Sequence, residues 1–338
     1  MFKKIDKLKK LIDEKRPYDQ EVMALLQERL RIEWTYNSNA IEGNTLTYGE
    51  TAFFLREGLT SEGKPLKDYL EAKNHAEAID LLNEIVKSKR PLTEGFIKEL
   101  HALLMKGIEF TFAKGADGNI IKKPLHAGMY KLRPNHVLTV SGKIHKYIAP
   151  EHVIDEMEAL LKWYTGSGNL HPFKKAAEFH YRFVAIHPFD DGNGRMARLL
   201  MNLILMQEGY PPCIIKNENR RKYLGALERA DYDRKPDVFI DFIEDEMEST
   251  LKVIVDILYG HSEPMPVEIS GKLNKIQRED MILGLFKKDP LSIGQIKEQL
   301  PQIKRPTLKS DLKRLVMDKK LRVEGEGKGL LYYKKHGG

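Results

Sequence analysis

Residues 187–198 read His-Pro-Phe-Asp-Asp-Gly-Asn-Gly-Arg-Met-Ala-Arg, and a mainly apolar run follows at residues 199–206. The first half has the composition of a loop, whereas the second half contains no helix breaker before Gly209. This contrast predicts a loop that leads into a buried helix. A Gly-Asn-Gly turn at a helix N-terminus presents several unpaired backbone N–H groups, which together suit a phosphate. The stretch therefore predicts an anion-binding site at residues 192–194.

The charged residues of this stretch indicate that the anion site can also carry out a reaction. Arg195 and Arg198 are three positions apart, so both reach the same side of the helix's first turn. Asp191 offers hard oxygen ligands that suit a Mg²⁺ ion between phosphates. His187 is a candidate base, because the ordinary histidine pKa lies near neutrality. Each residue alone is explained as well by a glycine-rich turn with surface arginines, but the ordered set favours a catalytic site.

The composition is that of an ordinary globular chain, since 41% of its 338 residues are hydrophobic and 31% are charged. This length allows two or three domains, and the net charge of +7 permits nucleic-acid contact without requiring it. The single cysteine, Cys213, excludes an internal disulfide framework and a four-thiolate zinc site, and it fits the reducing cytoplasm. The sequence shows neither a run of ~20 apolar residues nor a signal-peptide core, so we expect no membrane segment.

A zinc site is a weaker interpretation of the same region. His180, His187 and Asp191 lie close in sequence, but there is no His-Glu-x-x-His pair and no cysteine partner. We therefore expect His180 to be a partly buried structural residue.

The N-terminal residues predict helices, the second of which begins near Pro17 and ends in Ser38-Asn-Ala-Ile-Glu42-Gly43-Asn44. Gly43 and Asn44 are residues that end helices, which places Glu42 in the last turn. A carboxylate there is unfavourable to the helix dipole. Glu42 therefore either has a cationic partner elsewhere in the chain or is an ordinary solvated residue.

Between residues 107 and 150 the helical period disappears. Two short runs, 137–140 and 144–148, are rich in β-branched and aromatic residues and flank a Ser-Gly-Lys turn, which predicts a β-hairpin. An isolated hairpin is not stable alone, so it should lie over the helical body, with an edge open to an extended segment of another protein. Further on, Tyr223 lies in a predicted helix, where it either borders a nucleobase or packs in the core.

The last seventy residues predict a separate unit that follows a Pro-containing break at 260–266. Three helices followed by a strand, a glycine-rich tip and a strand are typical of a winged helix. The helix from Pro306 would be the recognition helix and would present Lys309, Lys313 and Arg314. Residues 304–335 contain 11 Lys or Arg against 4 Asp or Glu. This excess fits DNA binding, a solvated helix or a protein-binding surface.

Four features of the sequence resemble the Fic (Fido) family of protein adenylyltransferases. Residues 187–198 match the active-site motif of that family at every defined position. Ser38-Asn-Ala-Ile-Glu42-Gly43 resembles its inhibitory motif, in the N-terminal position of class II members. The predicted hairpin looks like the family's target-docking flap, and the C-terminal unit resembles an appendage of many bacterial members.

The resemblance implies a mainly α fold, in which a Fic helical-bundle core with a β-hairpin flap precedes a C-terminal winged helix-turn-helix domain. The implied segments are an N-terminal helical region at 1–94, a catalytic core at 95–260 and a winged-helix domain at 261–338. The flap would span residues 130–148, with Val137, Leu138 and Thr139 in contact with the target.

The resemblance also implies a reaction, in which AMP moves from ATP to a Ser, Thr or Tyr hydroxyl of a protein, or of the chain itself, with release of pyrophosphate. His187 would take the proton of the attacking hydroxyl, and Asp191 would hold Mg²⁺. The implied nucleotide-binding residues are Gly192, Asn193 and Gly194 through their amides, Arg195 at the β-phosphate, Arg198 at the γ-phosphate and Tyr223 near adenine. Phe189 would anchor the loop, and Asp231 departs from the pattern because relatives have Asn there.

Ser38, Glu42 and Gly43 take an inhibitory role by the same resemblance. We hypothesise that Glu42 pairs with Arg198 in the resting enzyme and keeps the γ-phosphate of ATP out of its productive place. Some relatives with this glutamate also remove AMP from their targets, so removal of AMP is a further activity that the sequence allows.

Two other functions stay open from the sequence. One is transfer of a different phosphate-linked group, since a relative transfers phosphocholine, although the two arginines favour a nucleoside triphosphate. The other is a DNA-binding regulator whose Fic core only senses nucleotide, although the presence of His187 favours an active enzyme. The expected partners are a protein substrate, DNA and a second copy in a homodimer, but not a membrane.

Overall fold

The computed structural model describes residues 2–114, 119–142, 144–233, 235–260, 275–286, 290–300, 303–318, 320–325 and 330–334. The chain forms two compact units, one of residues 1–46 and 65–265 and the other of residues 47–64 and 266–338. Most of the predicted N-terminal region therefore lies in the same unit as the predicted core, while residues 47–64 belong to the smaller unit. The predicted break at 260–266 lies outside the described residues from residue 261 onwards.

Helices dominate both units. The helices are α1 (Lys3–Glu14), α2 (Gln20–Ile41), α3 (Tyr48–Glu57), α4 (Leu66–Ser88), α5 (Glu94–Leu104), α6 (Val153–Gly166), α7 (Pro172–Ile186), α8 (Asn193–Gln207), α9 (Arg220–Asp233), α10 (Asp237–Leu258), α11 (Lys275–Gly284), α12 (Ile293–Gln299) and α13 (Arg305–Met317). In the part of the chain that the structure describes, no helix combines the length and the apolar character that crossing a bilayer requires.

Helix α8 lies at the centre of the larger unit, where it packs against α7 and α4. Every residue from Arg195 to Leu205 is buried, as the unbroken apolar run predicts. A helix that is apolar all round cannot lie at a surface, so its neighbours must enclose it. Burial of this helix fixes the position of its N-terminus and of the loop that precedes it.

Helix α2 begins three residues later than predicted, at Gln20 rather than near Pro17. The carboxylate of Asp19 accepts hydrogen bonds from the backbone N–H groups of Glu21 and Val22 and so caps the helix. At the other end, Gly43 adopts φ 94°, its N–H donates to the Ala40 carbonyl, and the Asn44 N–H donates to the Asn39 carbonyl. This pair of bonds is a Schellman motif, which needs glycine for the left-handed residue.

Two antiparallel hairpins interrupt the helices. Strands β1 (Phe110–Lys114) and β2 (Ile120–Pro124) form one, and β3 (His136–Leu138) and β4 (Ile144–Lys146) form the other. The second is the predicted flap, although Lys143 of its turn lies outside the described residues. The expectation of a single, isolated hairpin was wrong, because the alternation in Phe110-Thr-Phe was not recognised as a strand signal.

The smaller unit contains α3, α11, α12 and α13 with a three-stranded antiparallel sheet, in which β7 (Leu331–Lys334) lies between β5 (Leu291–Ser292) and β6 (Leu321–Glu324). Its core is apolar and includes Ile282, Leu308 and Leu312. The order of helices and the last two strands is the predicted one, whereas β5 was not predicted. The glycine-rich tip lies at 326–329, outside the described residues.

The proposed recognition helix, α13, divides its basic residues between two environments. Lys309 and Lys313 are exposed, as a nucleic-acid surface would require. Arg314 was predicted to join them, but its guanidinium pairs with Glu279 at 2.6 Å and with Asp311, which is 1% exposed. Arg314 therefore serves the packing of its own unit.

Candidate active site

The loop between α7 and α8 is closed by the side chain of Asn193. Its Oδ1 accepts a hydrogen bond from the Phe189 N–H at 2.9 Å, and its Nδ2 donates to the Phe189 carbonyl at 2.8 Å. These two bonds use the polar atoms of the side chain within the protein. Asn193 therefore shapes the predicted anion cradle, and its backbone N–H is the group that it can offer to a phosphate.

Phe189 anchors the loop from below, in the predicted way. Its buried ring stacks on His101 of α5, with ring centroids 3.7 Å apart. His101 Nδ1 accepts a hydrogen bond from the Gly128 N–H, so the ring proton lies on Nε2, which is 3.0 Å from the Asp191 carbonyl. Burial lowers the pKa of His101 to about 4 and keeps the ring neutral. His101 was not predicted from the sequence, although a histidine on an apolar helix face could have indicated it.

His187 ends α7 in the left-handed conformation, with φ 53° and ψ 60°. This conformation costs a non-glycine residue about 1 kcal/mol, so tertiary contacts must maintain it. Lys131, which is 2% exposed, supplies two of them: its N–H donates to the Pro188 carbonyl at 2.8 Å, and its Nζ lies 3.4 Å from the Ile186 carbonyl. Lys131 thus holds the backbone on both sides of His187.

The imidazole of His187 is enclosed by aromatic and charged groups. The ring of Tyr147 stacks on it, with centroids 3.7 Å apart and planes 16° from parallel. Burial lowers the pKa of His187 to about 3, and the charge of Lys131 adds to this effect. The ring is therefore neutral at physiological pH, with a nitrogen lone pair that can take up a proton.

Asp191 lies at the entrance to α8, where two hydrogen-bond donors hold it and a guanidinium lies nearby. Thr111 Oγ1 donates to its Oδ2 at 2.9 Å, the Gly192 N–H donates to its Oδ1 at 2.6 Å, and Arg195 Nη2 is 3.9 Å away. Burial alone would raise its pKa, but Arg195 and these hydrogen bonds outweigh it and lower the pKa below the ordinary value. The carboxylate is therefore ionised, as a metal ligand must be.

A magnesium ion fits Asp191 only in the company of phosphates. Across the described residues, no three His, Cys, Asp or Glu side chains form a cluster that could hold a metal ion. Mg²⁺ is commonly bound by one or two carboxylates, with substrate phosphates and water completing its shell. A single anionic carboxylate beside an anion cradle matches that pattern.

The two glycines of the cradle are needed for different reasons. Gly192 adopts φ 76°, and a Cβ there would lie 2.9 Å from the sulfur of Met105. Gly194 has ordinary helical geometry, but a Cβ there would lie 2.3 Å from Oε1 of Glu42. The carboxylate of Glu42 therefore lies directly against the N-terminal turn of α8, at the place predicted for phosphates.

Arg198 is buried and engaged on every side. Its Nη2 donates to Glu42 Oε1 at 2.7 Å and to the Ser38 carbonyl at 2.8 Å, and its Nε donates to Ser38 Oγ at 3.0 Å. Burial alone would lower the pKa of Arg198, but the contact with Glu42 outweighs it and raises the pKa further. Ser38 and Glu42, at the end of α2, thus bind the guanidinium group that was predicted to bind the γ-phosphate.

Arg195 is also buried, with 2% of its side chain exposed. Its Nη1 lies 3.2 Å from Oε1 of Glu71 in α4, a residue that the sequence analysis did not single out. The signal was a glutamate among the apolar positions of a strongly periodic helix. Both arginines of the motif are therefore paired with a carboxylate from a distant helix.

Tyr223 was expected either near adenine or in the core, and the structure places it in the core. The side chain is 2% exposed, and its hydroxyl lies 3.4 Å from Arg198 Nη1 and 3.1 Å from His180 Nε2. Burial lowers the pKa of His180 well below its ordinary value and keeps the ring neutral. His180 is fully buried, rather than partly buried as predicted. Tyr223 therefore contacts Arg198 from within the core.

The flap is tied to α9 by polar contacts. Ser141 in its turn donates to the carboxylate of Glu228, and His145 Nδ1 in β4 lies 3.2 Å from Asp231. Val137 is 42% exposed, and the backbone of Leu138 is paired with Ile144. Asp231, the residue that departs from the family pattern, thus contacts the flap.

Comparison with known proteins extends this description. Residues 91–205 match the model of the Fic/DOC family. The chain is 30% identical over 259 residues to protein adenylyltransferase fic-1 of Caenorhabditis briggsae, covering 73% of this chain and 47% of the relative. It is 35% identical over 220 residues to protein adenylyltransferase Fic of Nematostella vectensis, covering 64% and 47%.

A solved structure matches as well. A Fic-domain-containing signaling protein from Bacteroides thetaiotaomicron is 33% identical, with a TM-score of 0.68 over 77% of this chain and 98% of that one. The chain spans about half the length of the curated relatives it matches. With its loop, helix and arginines arranged as described, the chain belongs to the Fic/DOC family.

Proposed function

We propose that this chain is a protein adenylyltransferase, which transfers AMP from ATP to a hydroxyl group of a protein in the cytoplasm. One observation carries the proposal: the carboxylate of Glu42 lies against Gly194 and Arg198, where the family motif holds a triphosphate. A site that attracts an anion from a distant helix has the charge and the space for a phosphate. The names of the relatives, protein adenylyltransferases, supply the reaction.

The site residues can all take part in a single step, the transfer of AMP from ATP to the acceptor hydroxyl. The oxygen of the acceptor hydroxyl attacks the α-phosphorus of ATP, the bond from that phosphorus to the oxygen bridging it to the β-phosphorus breaks, and pyrophosphate leaves. The proton of the hydroxyl goes to the neutral imidazole of His187. The backbone N–H groups of Asn193 and Gly194 and the guanidinium groups of Arg195 and Arg198 hold the phosphates in line, whereas the Gly192 N–H is used by Asp191. Such positioning supplies much of the catalysis of phosphoryl-type transfers.

Asp191 is the residue that would hold a magnesium ion. When bound there, such an ion would neutralise charge that develops on the leaving pyrophosphate. The hydrogen bonds from Thr111 and Gly192 fix the carboxylate for this role without neutralising it.

We further propose that the observed state is inhibited. Arg198 cannot hold a γ-phosphate through its Nε and Nη2 while Glu42 and Ser38 accept their hydrogen bonds, because the donors of these two nitrogens are already used. Displacement of Glu42 would free both the guanidinium and the space beside Gly194. Glu42 could also orient a water molecule for removal of AMP, which is the reverse outcome at the same site.

The test uses ATP labelled at the α-phosphate. The Glu42→Gly protein should label itself and proteins of a cell lysate more strongly than the unmodified chain, and adding His187→Ala should abolish both signals. Labelling with α-labelled but not γ-labelled ATP would establish AMP as the transferred group. Equal labelling of the unmodified and Glu42→Gly proteins would rule out the inhibitory role, and absence of labelling from every variant would rule out the transferase.

A second candidate function is DNA binding by the smaller unit. The observation in its favour is that Lys304, Arg305, Lys309 and Lys313 are all exposed on or beside α13. A gel-shift titration with genomic fragments should show affinity that falls steeply with salt, and Lys309→Ala with Lys313→Ala should weaken it. Binding that is unaffected by these substitutions would assign the surface to another partner.

A further inference from the structure

Glu71 of α4 is a buried carboxylate outside the family motif. Its side chain is 8% exposed and has three polar neighbours. Arg195 Nη1 and Lys67 Nζ lie 3.2 and 3.6 Å from its Oε1, and Asn44 Nδ2 donates to its Oε2 at 2.9 Å. An ionised carboxylate is retained in a protein interior only when it is paired in this way.

Arg195 is incompletely satisfied by these contacts. Its Nε and Nη1 are buried and have no hydrogen-bond partner among the residues that the structure describes, so Nη1 contacts Glu71 as an ion pair only. Its Nη2 donates to the sulfur of Met105 at 3.7 Å and lies 3.9 Å from Asp191, beyond hydrogen-bond distance. A buried guanidinium with unused N–H groups can still bind an oxyanion, since it carries five donors in a fixed plane.

Asn44 connects this arrangement to the inhibitory segment. It follows Glu42 and Gly43 directly, and its Nδ2 donates to both Glu71 and the Asp68 carbonyl. The three residues 42–44 therefore reach both arginines of the motif: Glu42 contacts Arg198 directly, and Asn44 contacts Arg195 through Glu71.

We propose that Glu71 is a positioning residue for the β-phosphate of the nucleotide. It holds Arg195 in the plane between α4 and Asp191, with the unused N–H groups available to a phosphate, and Asn44 holds Glu71. The inference rests on the proposed function, because it takes a nucleotide with a β-phosphate as the ligand.

The direction in which nucleotide affinity changes when Glu71 is neutralised distinguishes this role from simple charge repulsion. A carboxylate beside a phosphate-binding arginine repels the phosphate, so its neutralisation should tighten nucleotide binding if charge alone matters. If Glu71 acts by orienting Arg195, neutralisation should instead weaken binding, because the guanidinium loses the partner that fixes it.

The experiment measures nucleotide binding by calorimetry in the Glu42→Gly background, where Arg198 is free of its carboxylate. EDTA is present, so that Asp191 and a metal ion do not contribute. ADP carries a β-phosphate and AMP does not. Glu71→Gln should weaken ADP binding about tenfold and leave AMP binding unchanged, and Asn44→Ala should weaken ADP binding about threefold. The matched control is Glu77→Gln, at a half-buried glutamate of the same helix that pairs with Lys73, and this change should alter neither affinity.

The ratio of ADP to AMP affinity decides the outcome. Tighter or unchanged ADP binding in Glu71→Gln, or equal weakening of both nucleotides, overturns the positioning role. If Glu71→Gln does not fold, Asn44→Ala decides alone, and an unchanged ratio there overturns the inference. Failure of the Glu42→Gly protein to bind ADP also overturns it, whereas ADP binding with the expected ratios but without AMP transfer would refute the proposed function only.

Discussion

Glu42 Oε1 lies 2.7 Å from Nη2 of Arg198, although 156 positions separate the two residues in the chain. The arginine belongs to the active-site motif, and the glutamate ends α2, the helix that also brings Ser38 to this arginine. Arg198 is 3% exposed, whereas the Glu42 side chain is 40% exposed. The pair therefore consists of a fixed cation and a carboxylate that solvent can reach, which is the asymmetry that a displaceable inhibitor needs.

Replacement of Ser38 by alanine should release part of the inhibition. The change removes the bond from Arg198 Nε to Ser38 Oγ but keeps the bond to the Ser38 carbonyl. A hydrogen bond to a charged group contributes about 1.5 kcal/mol or more, so self-labelling with α-labelled ATP should rise about tenfold, to a level below that of Glu42→Gly. Ser88→Ala, at an exposed helix end, is the control. Labelling at the unmodified level in Ser38→Ala would show that Glu42 alone holds Arg198.

Replacement of Gly192 by alanine should destabilise the larger unit. The residue adopts φ 76°, which costs alanine about 1 kcal/mol, and the new Cβ would press against the sulfur of Met105. Gly225→Ala makes the opposite prediction, because that glycine lies within α9 with open space around it. It should stabilise the protein by up to about 1 kcal/mol. Thermal unfolding of both variants tests the pair, and a Tm for Gly192→Ala at or above that of the unmodified protein would contradict the geometry.

Stability should fall as the pH is lowered below about 6.5, because His75 and His180 are buried as neutral rings. Burial lowers the pKa of each well below the ordinary value, and Arg198 lowers it further. The unfolded chain therefore binds more protons than the folded one below the unfolded pKa of about 6.5, and acid favours unfolding. Denaturant titrations from pH 7 to pH 5 would measure this loss.

The control for this pH dependence is His180→Gln, which removes one titrating ring and keeps a polar side chain opposite Tyr223. Its slope of unfolding free energy against pH, measured between pH 6 and pH 5, should be smaller by about 1.4 kcal/mol per pH unit. An identical slope in the two proteins would mean that His180 is protonated in the folded state.

Replacement of Arg314 by alanine should lower the stability of the smaller unit and not only its affinity for DNA. Arg314 bridges Glu279 and the buried Asp311. In the variant, Asp311 would keep one cationic partner, Arg278, whose Nε lies 2.6 Å from its carboxylate. Lys313→Ala, one position earlier and exposed, should leave the unfolding temperature unchanged. Equal effects of the two substitutions on thermal unfolding would remove the structural role of Arg314.

The sequence by itself determined the features that depend on neighbouring residues. The glycine turn at 192–194, the buried helix behind it and the one-turn spacing of Arg195 and Arg198 all follow from local backbone preferences and helical period. The end of α2 at Gly43 and the hairpin at 136–146 were predictable for the same reason. The short alternation of the β1–β2 hairpin was a local signal as well, but it was not recognised.

The tertiary structure alone decided which residues meet. Glu71 and His101 are ordinary helical positions in the sequence, and only the packing of α4 and α5 against the loop brings them to Arg195 and Asp191. Packing also placed Tyr223 behind Arg198 rather than in an open pocket. Helical period tells which face of a helix is buried, but it does not tell which residue that face contacts, because this depends on how distant helices pack together. The residues that would carry out the chemistry thus lie in one short stretch of sequence, whereas the partners of its two arginines come from helices far away in the chain.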